Sequence, residues 1–211
     1  MLTFICSRLS GCPYYGLIIA LALLMSGCAT LTPAPEHYHW PEQQQRLKQL
    51  QNWQITGKLG VRTANQGGSL FINWQQQQAR YQIHLSGLLG QGAILIEGQP
   101  GYVSLQQSGK PEVSADSAAV LLERTLGWQL PVAAASDWVK GVPLTSVASN
   151  LSFSGQGQLA SLTQKGWIIE YSRYRPVNGL WLPYKLVLQR VNDQPLKLTL
   201  IISQWRLTAD H

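Results

Sequence analysis

From Trp53 onward the apolar residues of this chain recur at every second position, and that period limits the fold more than any other feature. Alternate side chains of an extended strand point to opposite faces, so period two reads as strand. Trp53 and Ile55, Lys58-Leu59-Gly60-Val61, Leu70-Phe71-Ile72, Tyr81-Gln82-Ile83-His84-Leu85, Ala93-Ile94-Leu95-Ile96 and Tyr102-Val103-Ser104-Leu105 predict successive strands. Asn65-Gln66-Gly67-Gly68, Gln75-Gln76-Gln77-Gln78 and Ser108-Gly109-Lys110-Pro111 read as the turns between them. Strands return over residues 159–162, 167–174, 182–191 and 196–207, with turns at Gly179 and Asn192-Asp193.

Two stretches break the period. Residues 41–52 predict a helix, with Pro41 in its first turn and Leu47 and Leu50 three apart on one face. Over residues 115–141 the period is again helical. Asp116 or Ser117 caps a helix whose apolar face is Val120, Leu121, Leu122 and Leu126, and Gly127 ends it. A second short helix occupies residues 131–139, with Trp138 near its end and Gly141 and Pro143 as its stop. The fold class is therefore α+β, an antiparallel sheet with a helical insertion in mid-sequence. Leu70-Phe71-Ile72 and Ala93-Ile94-Leu95-Ile96 are apolar without interruption, which predicts strands covered on both faces. Either the helices cover one face and a cavity lies on the other, or the sheet is an ordinary two-layer core.

Composition narrows the class. Charged residues make up 12% of the chain, half of the roughly 25% usual in a soluble domain. Gln takes their place, with 23 residues against ten Asp and Glu. Eight Trp and eight Tyr supply enough burial to exclude disorder. A single long apolar run and a mean hydropathy of −0.05 exclude a polytopic membrane protein.

That run sits at the N-terminus. Arg8 precedes a short apolar stretch over residues 17–25, too short to cross a bilayer, and Met25-Ser26-Gly27-Cys28 follows. An apolar residue, two small residues and a Cys resemble a bacterial lipobox. Residues 1–27 thus predict a lipoprotein signal peptide, and Cys28 the lipidated first residue of the mature chain. Residues 28–39, with Pro33 and Pro35, predict a tether. Residues 40–211 are the remaining domain. Cys6 and Cys12 leave with the signal and lipid takes the Cys28 thiol, so no disulfide, thiol nucleophile or Cys-based metal site is expected. The mature chain keeps 15 Lys and Arg against ten acids.

Signals for catalysis are thin. His37 and His39 fall in the tether, His84 stands alone in a strand and His211 is terminal. No carboxylate pair stands in an apolar run, and neither a phosphate loop nor a GxSxG elbow is present. The basic residues form no run of the kind that binds nucleic acid. The segment Gly87-Leu88-Leu89-Gly90 is more informative. It joins two strong strands, where polar residues and Gly are usual, yet it places two Leu between two Gly. Either these fold back under the sheet edge or they form an apolar prong for lipid or a partner.

Trp53-Gln54-Ile55-Thr56-Gly57-Lys58-Leu59-Gly60-Val61-Arg62, Phe71-Ile72-Asn73-Trp74, residues 81–98 and Gly141-Val142-Pro143 together resemble the LolB family of outer-membrane lipoprotein receptors. The resemblance covers Cys28 and roughly residues 40–207. The family loop reads Asn/Gly-Pro-Leu-Gly; here Leu88 takes the place of Pro, and Leu89 aligns with the protruding Leu. The resemblance implies an incomplete antiparallel β-barrel with a helical lid enclosing an apolar cavity. It implies acceptance of lipoproteins from the periplasmic carrier LolA and their insertion into the outer membrane. The partners are then LolA, lipoprotein acyl chains and outer-membrane lipid. Neither nucleic acid, cofactor nor metal is expected, and the chain is expected to be a monomer held on the periplasmic face by its acyl (palmitate) anchor. Phe71, Trp74, Ile83, Leu85 and Leu95 are the expected cavity walls. Val120, Leu121, Leu122 and Leu126 are the expected lid. Residues 87–90 are the expected membrane-inserting loop. A lipid hydrolase on the same scaffold or a structural lipoprotein are the readings from other classes; a hydrolase would release fatty acid, whereas a receptor leaves its cargo intact.

Overall fold

A computed structural model describes residues 38–65, 67–127, 130–190 and 196–208, all within one compact unit of the chain. Helix α1 (Trp40–Gln49) comes first, with Pro41 in its opening turn and Leu47 wholly buried. Six strands follow: β1 (Asn52–Arg62), β2 (Gly67–Gln77), β3 (Arg80–Ser86), β4 (Ile94–Gln99), β5 (Tyr102–Gln107) and β6 (Val113–Ala115). Helices α2 (Ala118–Leu126) and α3 (Val132–Trp138) interrupt them. The chain then returns through β7 (Asn150–Phe153), β8 (Leu159–Gln164), β9 (Trp167–Ser172), β10 (Arg175–Val177), β11 (Leu180–Leu182), β12 (Lys185–Arg190) and β13 (Lys197–Leu207).

Eleven strands form one antiparallel sheet in the order β6-β5-β4-β3-β2-β1-β13-β12-β9-β8-β7. The first half of the chain meets the last strand at the β1–β13 pair, and the outermost strands β6 and β7 are not paired to each other. The sheet is therefore open and not a closed barrel. Strands β10 and β11 form a separate hairpin. Helix α1 is tied to it where the Trp181 backbone N–H donates to Gln43 Oε1 at 3.2 Å.

One face of the sheet is apolar and covered by α2 and α3. Across the central strands its rows read Ile96, Ile83, Trp74, Ile55 and Trp205, then Leu85, Ile72, Gly57 and Ile202. A β-bulge on β13 holds this alternation. Gly57 is opposite Ile202 and Thr56 opposite Gln204, so Ser203 is the extra residue. The bulge returns Trp205 to the inner face, where it packs 5.5 Å from Trp53, itself 5.1 Å from Trp74. A β-carbon on residue 57 would overlap the Ile201 carbonyl oxygen, so only Gly fits beside the bulge.

The other face is polar and open, which corrects the expectation of strands covered on both sides. Phe71 is 46% exposed, and Leu95 lies between Gln106 and His84 on the outer face. Gln54 Nε2 donates to Asn73 Oδ1 at 2.8 Å, and Gln82 Nε2 to Glu97 Oε1 at 2.7 Å. These cross-strand bonds occupy two of the Gln side chains on that face. Residues 75–77 belong to β2, not to a turn, and the turn is Gln78-Ala79. Gln76 is buried there because it accepts from Trp74 Nε1 (3.1 Å) and donates to the Gln78 carbonyl (2.7 Å). Gly67 and Gly68 likewise open β2. The strand expected over residues 182–191 is two strands separated by Pro183, whose missing N–H breaks the ladder. Strands β6, β7 and β10 carry too few apolar residues to show a period. The turn expected at Asn192-Asp193 lies outside the described residues.

A buried amide anchors α3. Gln164 Oε1 accepts from Trp138 Nε1 and from the Leu144 N–H, both at 3.0 Å. Its Nε2 donates to the carbonyls of Leu144 (2.9 Å) and Val147 (3.0 Å). Lys140 Nζ donates to the Leu50 carbonyl at 3.0 Å and pairs with Asp137 at 3.1 Å. Two outcomes follow for chemical denaturation. Gln164→Ala leaves Trp138 Nε1 and the Leu144 and Val147 carbonyls without partners and lowers unfolding free energy by about 2–4 kcal/mol. Gly57→Ala forces the bulge apart and lowers it by about 3 kcal/mol.

Candidate functional site

Between the inner face of the sheet and the two helices lies an internal space lined only by apolar atoms. Trp74, Ile83, Leu85 and Ile96 supply one wall and Leu186, Leu188, Leu198 and Leu200 the opposite one. Leu59 and Ile72 line the space from β1 and β2, and Leu122, Leu130, Val132, Ala135 and Val139 cover it from the helical insertion. Its volume of about 60 Å³ is that of roughly two water molecules. An apolar lining offers nothing to a polar ligand and suits a hydrocarbon chain.

Of the expected wall residues, Trp74, Ile83 and Leu85 line this space. Phe71 and Leu95 do not: each is odd-numbered in a strand whose inward residues are even-numbered. Of the expected lid residues, Leu122 lines the space, whereas Leu121 is buried and Leu126 half-buried against the core without lining it. Val120 is 49% exposed on the solvent side of α2. Sequence reasoning passed over the β12 and β13 linings, although Leu186, Leu188, Leu198 and Leu200 show the same period two. It also passed over Gln164, whose signal was a lone amide at an inward position of β8.

The β3–β4 loop leaves the fold altogether. Leu88 is 74% and Leu89 90% exposed, so neither folds back under the sheet edge. The loop is held as one tight turn, Leu88–Gly90. The Gly87 N–H donates to the Gln91 carbonyl at 2.9 Å, and the Gly90 N–H to the Gly87 carbonyl at 3.1 Å. Leu89 takes a left-handed backbone conformation, φ 58°, which costs a non-glycine residue roughly 1–2 kcal/mol. An exposed Leu in that conformation contributes nothing to the core in return.

Among the described residues the resolved pKa shifts point to no nucleophile. Burial pushes the phenols of Tyr38 and Tyr81 up to about 12 and that of Tyr171 well above its usual value. Burial raises Tyr174 as well, with Tyr171 and Tyr38 adding like-charge repulsion. All four shifts hold the phenol protonated. Among the described residues no three His, Cys, Asp or Glu side chains gather as metal ligands. No described helix is long and apolar enough to cross a membrane. Cys28 and the tether to residue 37 lie outside the described residues.

Comparison with known proteins agrees with this arrangement. A family model described as "Outer membrane lipoprotein LolB" matches residues 51–205. The outer-membrane lipoprotein LolB of Pseudomonas paraeruginosa is 42% identical over 193 residues, 89% of this chain and 92% of that protein. LolB of Pseudomonas syringae pv. syringae is 39% identical over 90% of this chain and 94% of its own length. LolB of Stutzerimonas stutzeri is 40% identical over 88% and 92%. Among solved structures, a LolA superfamily protein from Nitrosomonas europaea superposes with a TM-score of 0.54 at 7% identity, over 81% of this chain and 94% of that one, a likeness of fold alone. By the family match and by identity across nearly its whole length, the chain belongs to the LolB family of outer-membrane lipoprotein receptors.

Proposed function

We propose that this receptor takes lipoproteins from LolA, holds their acyl chains against the inner face of the sheet, and delivers them to the outer membrane through the Leu88–Leu89 loop. The observation that carries the proposal is the pairing of an all-apolar internal space with an apolar loop turned fully outward. Cys28, acylated at the N-terminus of the mature chain, holds the domain on the periplasmic side of the outer membrane. The domain is then residues 40–211, with 28–39 as its tether. No chemical step is assigned to it.

The energetics favour a protein route. Each buried methylene is worth about 0.8 kcal/mol, so a chain of about sixteen carbons is worth roughly 12 kcal/mol. Release into water is therefore prohibitively slow, and each chain passes from one apolar surface to the next. The empty receptor has room for none of them. Cargo enters by displacing Leu122, Leu130 and Val132 from the inner face, so that acyl carbon replaces protein carbon and little apolar area meets water. The C-terminal end of α3 stays in place through Trp138, Gln164 and Lys140. The part of the insertion that moves is α2 and the start of α3. Transfer runs downhill when the membrane binds the cargo more tightly than the receptor does, and the receptor more tightly than the carrier.

Burying Leu89 in the acyl boundary gains roughly 1.5–3 kcal/mol, enough to hold a loop at the membrane transiently. Leu89→Glu removes that contact and adds a charge. In a two-step assay with labelled lipoprotein on LolA, this variant receives cargo at the normal rate and fails to deposit it in vesicles. Leu89→Gly removes the contact and also the left-handed strain. It stabilises the fold by about 1 kcal/mol while deposition falls. Loss of receipt in either variant, or normal deposition by both, contradicts the role given to the loop.

A further inference from the structure

The loop is not alone at its end of the sheet. In an antiparallel sheet alternate connections share an end, so the β3–β4 loop lies at the same end as the β1–β2, β5–β6, β8–β9 and β12–β13 connections. That end carries cations. Lys110 is exposed in the β5–β6 connection, and Arg62 and Lys197 are exposed as the last pair of the β1–β13 ladder. Farther round, Lys165 is exposed in the β8–β9 turn and Arg190 ends β12. At about 4.8 Å per strand, Lys110 stands roughly 10 Å to one side of the loop, and Arg62 and Lys197 roughly 12 and 17 Å to the other. None of the five is in an ion pair with a described residue. Among the described residues the acid near this end is Glu112, which faces a groove with Gln82 and Glu97 farther down the outer face; Asp193, in the β12–β13 connection, lies outside the described residues.

Arg62 and Lys197 sit directly opposite each other, an arrangement that destabilises a strand pair. The outer face just below adds apolar surface. Phe71 and Ile201 are exposed in one row on either side of Lys58, whose Nζ lies 5.4 Å over the Phe71 ring. Exposed leucines at a tip, cations bracketing them and an amphipathic belt behind form the layered pattern of an interfacial membrane site. Apolar tips reach the acyl boundary, cations stay with the head groups and long side chains snorkel between the two.

We infer that Lys110, Arg62 and Lys197, with Lys165 and Arg190 beyond them, form a docking rim for anionic phospholipid head groups that sets the Leu88–Leu89 loop against the bilayer. The inference rests on the membrane role proposed for that loop and adds a lipid-charge requirement to it. A membrane is favoured over a protein partner because the cations flank, on both sides, a tip whose outermost side chains, Leu88 and Leu89, are apolar and exposed, with uncharged Gln91 beside them.

The test uses the natively lipidated full chain, held by its own anchor in vesicles of phosphatidylethanolamine alone or of phosphatidylethanolamine with phosphatidylglycerol. Neither cargo nor carrier is present. A fluorophore on Ser69→Cys reports approach of this end to a head-group-borne quencher, and one on Ala79→Cys at the opposite end is the control. Quenching at position 69 is expected to be greater with phosphatidylglycerol and to fall as salt is raised, while position 79 does not respond. Lys110→Gln with Lys197→Gln lowers the docked-to-undocked ratio roughly 10–30-fold. Lys197→Gln alone leaves the melting temperature unchanged or raises it, since it removes a like-charge pair. Equal quenching in both vesicles, or no change in the double variant, overturns the inference. So does a double variant that docks normally yet no longer takes lipoprotein from LolA, because the cations then serve the carrier. Leu89→Glu separates the two readings. If it deposits cargo normally while quenching remains salt-sensitive, the loop role fails and the rim stands. If it blocks deposition while quenching ignores lipid charge, the rim fails alone.

Discussion

A strand sheet with one apolar face must have that face covered, and in this molecule the cover leaves a gap. The inner rows, from Ile96 through Trp205 and from Leu85 through Ile202, present a continuous hydrocarbon surface. In an ordinary two-layer domain a full helical layer would be packed there for good. Here two short helices of nine and seven residues do it, and between them and the sheet they leave a seam of dry space. In the proposed transfer the sheet supplies a surface of fixed shape, and the helices supply side chains that acyl carbon replaces.

The rigid and the replaceable parts are separated by polarity. Where the insertion rejoins the sheet, a fully satisfied buried amide and a buried lysine fix it. Removing these bonds strands polar groups in the core. Helix α2 makes apolar contacts, which are non-directional, and a hydrocarbon ligand supplies the same contacts. The bulge beside Gly57 serves the other half of the design. It keeps Ile202 and Trp205 on one face across an odd insertion, and with them the tryptophan cluster that closes the far end of the inner surface.

Much of this was legible in the sequence because period two and period 3.6 both leave a direct record of burial. The strands from Trp53 to Leu105, the helix that begins after Ser117 (without a side-chain capping bond) and its Gly127 stop all carry that record. The exposed loop was legible for the opposite reason, since Leu88 and Leu89 stand where polar residues belong. Faces were harder. An unbroken apolar run such as Leu70-Phe71-Ile72 does not say which residue points inward, and Phe71 and Leu95 point out. Short strands such as β6 and β10 make too few alternations to register. Distant partners leave no periodic trace, and so the Gln164–Trp138 contact and the pairing of Arg62 with Lys197 became visible only in the fold. The size of the internal space was not legible at all, because it depends on packing of the helices rather than on pattern.

The central claim is that acyl chains occupy the inner face under a displaced α2. A lipoprotein carrying a photoactivatable diazirine in its acyl chain tests this directly, with the unmodified receptor loaded from LolA, irradiated and mapped by mass spectrometry. The account predicts adducts on Leu59, Ile72, Trp74, Ile83, Leu85 and Leu122. Adducts confined to Phe71, Leu95 and Val120 on the outer surfaces, with the inner face unlabelled, would contradict it.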